Sequence, residues 1–206
     1  SDVRIETVGS VADTVLAAAG TCAELLAGPR WGCHDDIITG TVRESRIWLH
    51  RVPAGRFYLL VDGYDGTATG AFTVNVSAVA AAEDACAAPI DISGGGRLIG
   101  RFDASAAAGT ERGGCAPAGS GPQREAVATF TPDGSRVDFQ ARSADFSPIV
   151  YVRETCADPA SELACATVGW GGGMTANLNA RPPAAPHWVF VDGAAPGAAY
   201  TLLYSP

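Results

Sequence analysis

One phrase occurs twice in this chain, and any fold must accommodate both copies. Arg56-Phe57-Tyr58-Leu59-Leu60-Val61-Asp62-Gly63 is an apolar run, followed after Gly70 by Ala71-Phe72-Thr73-Val74-Asn75-Val76-Ser77. His187-Trp188-Val189-Phe190-Val191-Asp192-Gly193 repeats it, with Gly197 and Ala198 to Ser205 behind. Pro53-Ala54 and Pro183-Ala184 stand ahead of the two copies. An internal repeat of this kind means one supersecondary unit used twice. A length of 206 residues suits two small units, each able to bury a core.

The segments between turns alternate or run β-branched, so they predict strands. Val3 and Ile5 share one face of a first strand, and Asp13 to Ala19 form the next. That second segment is Ala-rich, but its counterpart Pro148-Ile149-Val150-Tyr151-Val152-Arg153 is strongly β-forming. Ser45 to His50 follows, with Ile47 and Leu49 opposite Arg46, Trp48 and His50. The Arg56–Gly63 run is apolar on both faces and is expected in the middle of a sheet. Asp62 and Asp192 read as hairpin turn residues, and Ala23 to Trp31 as a loop. Residues 78–85 are small and acidic, which places a linker at 80–85 between units 1–79 and 86–206. The second unit opens with strands near 97–102 and 126–131, joined by a loop over 104–122 rich in Ala, Gly and Pro. Short strands spaced by turns predict an all-β chain: two tandem antiparallel β-sandwich domains, the first incomplete at its N-terminus.

Six cysteines fall into three local couples, Cys22 with Cys33, Cys86 with Cys115 and Cys156 with Cys165. None forms the C-x-x-C knuckle of a zinc site, so disulfides in an oxidising compartment are expected, paired as those couples. No apolar run reaches the roughly 20 residues needed to cross a bilayer, and no signal core opens the chain. The expectation is a mature product or an excerpt of a secreted or cell-surface protein. All 14 basic residues are Arg, and 22 acids give a net charge of −8. That balance disfavours nucleic acid and anionic lipid as partners.

Strand, Cys loop, strand, Pro-Ala-Gly turn, a strand ending Val61-Asp62-Gly63 and the Gly70-Ala71-Phe72-Thr73-Val74 strand together resemble the bacterial pre-peptidase C-terminal (PPC) domain. The resemblance covers 86–206 as a whole unit and 1–79 as the later part of another. It implies a jelly-roll-like sandwich, an extracellular address and an accessory, non-catalytic role. The second copy departs from it, with Ala185-Pro186 at the Gly55 turn and no acidic pair after Cys165.

Catalysis by a nucleophile needs a base in reach and a group orienting that base. Of the three histidines, His50 and His187 lie in or beside strands and His34 follows a cysteine; His187 takes the place of Phe57 and reads as a packing position, and none is expected to be catalytic. Gly119-Ser120-Gly121 lacks the spacing of a nucleophile elbow. The glycine runs 94–96 and 171–173 read as turns, since neither is followed by the Lys-Ser/Thr of a phosphate loop. No cofactor is required. Asp13, Asp35 and Asp36 offer hard oxygens for Ca²⁺ if the fold converges them, and otherwise cap turns. Their places in the second copy carry Ser147, Thr167 and Val168. Trp31 and Trp170 lie in loops, either tucked against the sandwich or presented to a ligand.

The expected function is a non-catalytic exported adhesive, targeting or structural module. A carbohydrate- or protein-binding accessory domain of a secreted hydrolase, with the loop tryptophans in contact, is the alternative. Counterparts of 97–102 and 126–131 are absent from the first copy. Its open edge is therefore expected to take a protein partner or another copy of the chain.

Overall fold

The structure is a computed structural model, and it describes residues 1–27, 31–102, 109, 111–118, 123–167, 174–178, 185–193 and 196–205. Its strands are β1 (Asp2–Glu6), β2 (Thr14–Ala19), β3 (Gly32–His34), β4 (Arg46–His50), β5 (Tyr58–Gly63) and β6 (Asn75–Val79). Then come β7 (Ile90–Asp91), β8 (Gly96–Arg101), β9 (Arg124–Phe130), β10 (Val137–Arg142) and β11 (Ile149–Arg153). Last are β12 (Glu162–Thr167), β13 (Met174–Leu178), β14 (His187–Gly193) and β15 (Ala199–Ser205). The protein is an all-β sandwich.

Among the described residues three sheets make it. The largest has the order β13-β10-β15-β8-β4-β1-β6, a second is β12-β11-β14-β9-β7, and the third is β3-β2-β5. Successive side chains of a strand point to opposite faces, and β4 uses this to serve both smaller sheets. Ile47 and Leu49 join Ile5, Leu16, Ala18 and Ile99 in one buried cluster under β2 and β5. Trp48 joins Leu98, Phe130, Phe139, Val150, Val191 and Tyr200 in the other. The two smaller sheets thus cover opposite faces of the large one, over different halves of it.

The large sheet is continuous because β4 pairs in parallel with β8, Ile47 opposite Arg97 and Leu49 opposite Ile99. Gly94, Gly95 and Gly96 make this junction possible, with φ of +86°, +84° and +119° that residues carrying a Cβ rarely adopt. A Cβ on Gly95 would stand 2.6 Å from the Ile37 carbonyl oxygen. Arg46 Nη1 donates to the Gly94 carbonyl at 2.6 Å. Residues 80–85 are tied to the body of the fold: Asp84 is bonded to His50 of β4, and the Ala82 amide donates to Asp2 of β1.

Several expectations are corrected. β5 is not central but forms the edge of its sheet, with β2 in the middle. Its matching strand β14 lies between β11 and β9, so the two-faced apolar pattern suits a central place that β5 lacks a neighbour to occupy. Asp192 is no turn residue; it stays within β14, buried, and faces Ile149 across the ladder. Residues 22–27 form a short helix, α1 (Cys22–Ala27). Thr21 and Glu24 cap it reciprocally, Thr21 N donating to Glu24 Oε2 at 3.0 Å and Glu24 N to Thr21 Oγ1 at 3.2 Å. The Thr-x-x-Glu spacing is the capping-box signature.

The disulfide pairing is the main correction. Cys86 is bonded to Cys156 and Cys115 to Cys165, while Cys22 and Cys33 are free and exposed. Neighbours in sequence are not neighbours here, because the stretch around Cys115 runs back over the outer face of β11 and β12. There Cys115, Ala116 and Cys165 pack with Tyr151, Phe190 and Cys156. Gly113 lets the chain come this close, since a Cβ would sit 2.8 Å from both Cys165 Sγ and Tyr151 Cδ1. Arg153, fully buried, fastens the same stretch. It pairs with Glu111, donates to the Arg112 and Cys156 carbonyls at 2.8 and 3.0 Å, and lies 5.0 Å from the Tyr151 ring.

Candidate functional site

The two copies of the repeat carry their strands in the same register. Ala17 faces Cys33 on one side and Leu60 on the other. Tyr151 likewise faces Cys165 and Phe190. Ile5 faces Ile47 and Val76, as Phe139 faces Ala176 and Tyr204. What differs is what lies beyond. β14 continues to β9 and β7, and β15 continues to β8. β5 and β6, at the matching places, end their sheets.

This difference sets the exposure of the apolar side chains. Tyr200, Leu202 and Tyr204 on β15 are 1%, 1% and 2% exposed. Phe72, Val74 and Val76, which match them, are 59%, 36% and 57% exposed. Phe57, Leu59 and Val61 are only half-buried, whereas His187, Val189 and Val191 are buried. Among the described residues every exposed large apolar side chain lies between Val8 and Val76. Two unpaired strand edges therefore flank an apolar face, and the free thiols of Cys22 and Cys33 lie on α1 and on β3 of the same three-stranded sheet region. An open edge offers a row of backbone donors and acceptors to an incoming strand, and apolar pockets select its side chains.

The residues expected to bind calcium have other partners. Asp13 Oδ2 lies 3.4 Å from Arg43 Nη1, Asp35 Oδ1 accepts the Asp36 N–H at 2.8 Å, and Asp36 Oδ2 accepts the Gly40 N–H at 2.7 Å. Asp35 and Asp36 line a cleft of about 300 Å³ that also holds Arg97. Among the described residues no three His, Cys, Asp or Glu side chains gather as a metal ion would require. Trp31 is half-buried, its ring 6.4 Å from that of Phe57. It opens on a groove of about 380 Å³ shared with Glu24, Arg101, Arg142 and Asp145. Trp170, the 171–173 glycines and Ser120 lie outside the described residues.

Each histidine has a structural post. His50 is buried between two carboxylates, Nδ1 2.9 Å from Asp2 Oδ2 and Nε2 2.7 Å from Asp84 Oδ1. Burial opposes its charge, but the hydrogen bonds to Asp2 and Asp84 outweigh that and raise its pKa to about 9. Both ring nitrogens are occupied, so His50 has none left for a nucleophile. Arg51 Nε adds a second cation 2.9 Å from Asp84 Oδ2. His34 is held near pKa 4 by burial, then by the charges of Arg97 and Arg46, and its Nδ1 accepts the Arg46 N–H at 3.2 Å. His187 donates from Nδ1 to the Ala185 carbonyl at 3.0 Å. Asp192 is pushed up to about 8 by burial and by Glu125, and it accepts from Tyr151 Oη at 3.4 Å. The sequence did not point to the Asp2–His50–Asp84 bridge, since its members are 48 and 34 residues apart.

No family model matches the sequence, and no curated protein matches it. Among solved structures the chain is similar to the pre-peptidase C-terminal domain of a collagenase from Bacillus anthracis. That match covers 57% of this chain and 94% of the other, at 16% identity and a TM-score of 0.39.

Proposed function

We propose that this chain is a non-catalytic β-sandwich module of an exported protein, with two copies of one unit, the first of which is an acceptor for added β-structure. Its role is adhesive, targeting or structural, and it binds polypeptide by extending its sheets at β5 and β6. The observation that carries the reading is the contrast at matched positions: Phe72, Val74 and Val76 stand exposed where Tyr200, Leu202 and Tyr204 are covered. An apolar face rimmed by unpaired backbone is the surface that strand addition buries. Two disulfides favour an oxidising compartment. No helix among the described residues is long and apolar enough to cross a membrane. Analytical ultracentrifugation at micromolar concentration tests the reading: the chain should self-associate or carry a bound peptide. A compact monomer without bound peptide, and without binding of a hydrophobic dye, would refute it.

One observation favours a second reading, a carbohydrate-binding accessory role. The Trp31 groove combines a half-buried ring with guanidinium and carboxylate groups, the mixture of apolar wall and few polar anchors that small-molecule sites use. Glycan-array binding that is lost in Trp31→Ala would support it.

A further inference from the structure

Three vacancies in the first unit coincide with one segment of the second. Residues 86–130 supply β8 beside β15, β9 beside β14, and the sulfur partners Cys86 and Cys115. In the first unit the places beside β6 and β5 are open, and two cysteines are unbonded. Those two are the matches of the bonded pair. Cys33 faces Ala17 as Cys165 faces Tyr151. Cys22 follows Ala17 by the same interval as Cys156 follows Tyr151, within Thr21-Cys22-Ala23 and Thr155-Cys156-Ala157. Cys156 and Cys165 bond not to each other but each to the segment that lies across the sheet.

We infer that Cys22 and Cys33 are two attachment points of a disulfide clamp. They hold a polypeptide segment built like residues 86–130: two strands for the open edges and two cysteines spaced like Cys86 and Cys115. The inference rests on the acceptor reading and adds covalent closure to it. A second copy of this chain does not supply the segment in its folded state, because its own Cys86 and Cys115 are already bonded. Each bond forms by exchange with a disulfide oxidant such as oxidised glutathione. The Cys22 thiolate attacks that disulfide and releases one thiol. The thiolate of the incoming segment then attacks the mixed disulfide at the Cys22 sulfur and releases the second. Each new bond therefore consumes one oxidant disulfide and yields two thiols and no net electrons.

The register sets where such a segment can be joined for a test. Ile5 matches Phe139, so Ser1 stands where Ser135 stands in the second unit. The test is the full chain with a second copy of residues 80–134 joined ahead of Ser1, folded in a glutathione redox buffer. Peptide mapping without reduction should find Cys22 bonded to the Cys86 of the added copy and Cys33 to its Cys115. Thiol titration should fall from two free groups in the parent chain to none. A Cys22–Cys33 bond, or a bond between the two added cysteines, would overturn the clamp. Hydrogen exchange separates the two ideas. Amides of β5 and β6 protected by the added segment without those bonds would sink the clamp and leave the acceptor reading standing. No protection and no bonds would remove both.

Discussion

The buried bridge Asp2–His50–Asp84 joins β1, β4 and the stretch between β6 and β7, so its protonation should be visible in the stability of the fold. The pKa of His50 is raised from its ordinary 6.5 to about 9. A raised pKa means that the folded chain holds the proton more tightly than the unfolded one. The bridge therefore contributes fully below pH 6.5, and the contribution is lost as pH rises through 9. The difference between these values corresponds to about 3 kcal/mol. The side chains of His50 and Asp2 are 1% and 5% exposed, so solvent screening takes little of it. On the acid side the pKa of Asp2 is lowered: burial opposes this, but the His50 hydrogen bond and the Ala82 and Arg51 amides prevail. That contribution exists above the ordinary 3.8 and disappears as pH falls through the depressed value. The bridge's own contribution is therefore flat between about pH 4.5 and 6.5. Buried Asp192 and Glu125, raised from 3.8 and 4.5 to about 8 and 7, cost stability as pH climbs between those values, across the same window, so the bridge must be isolated by difference. Urea unfolding of the parent chain and His50→Gln from pH 5 to 9.5 provides that difference. The variant should be less stable by about 3 kcal/mol at pH 6, and the gap should close as pH passes 9. A gap that is constant or widens with pH would refute the argument.

Matched substitutions test the open face directly. Tyr204→Ala in the covered copy should cost about 3–5 kcal/mol, as large core truncations do, while Val76→Asp at its exposed counterpart should cost within about 0.5 kcal/mol and abolish association in the ultracentrifuge. Equal costs at the two sites would mean that Val76 is covered in solution. Mass mapping of the unreduced chain should return Cys86 with Cys156 and Cys115 with Cys165. These bonds close stretches of 70 and 50 residues, so removing either by Cys156→Ser or Cys165→Ser should lower stability by about 4 kcal/mol in the chain-entropy account. Local couples on the map would overturn the loop path over β11 and β12.

Much of the strand content was legible in residue order alone. Ile149–Arg153, Arg46–His50 and the twin runs ending Val-Asp-Gly are strands because β-branched and aromatic residues pack well on a pleated, buried surface. That is a local property, and it survives into the fold. The uncovered edge was also legible, because the first copy has no counterpart of β8 and β9. The helix at Cys22–Ala27 had its signal in Thr21-x-x-Glu24, a capping box in a stretch expected to be a loop. What the sequence could not state were facts of three-dimensional proximity. Cysteines close in sequence looked like partners, yet the bonds join residues 50 and 70 apart because the chain doubles back across an outer sheet face. Asp62 and Asp192 have the same neighbours in sequence, but only the second is buried against Tyr151, since only β14 has a strand on each side. The His50 bridge needed β1, β4 and Asp84 brought together before two carboxylates could hold one imidazole. Strand propensity is written residue by residue, whereas pairing, burial and the ionisation that follows from them belong to whichever distant groups the packed sheets bring within reach.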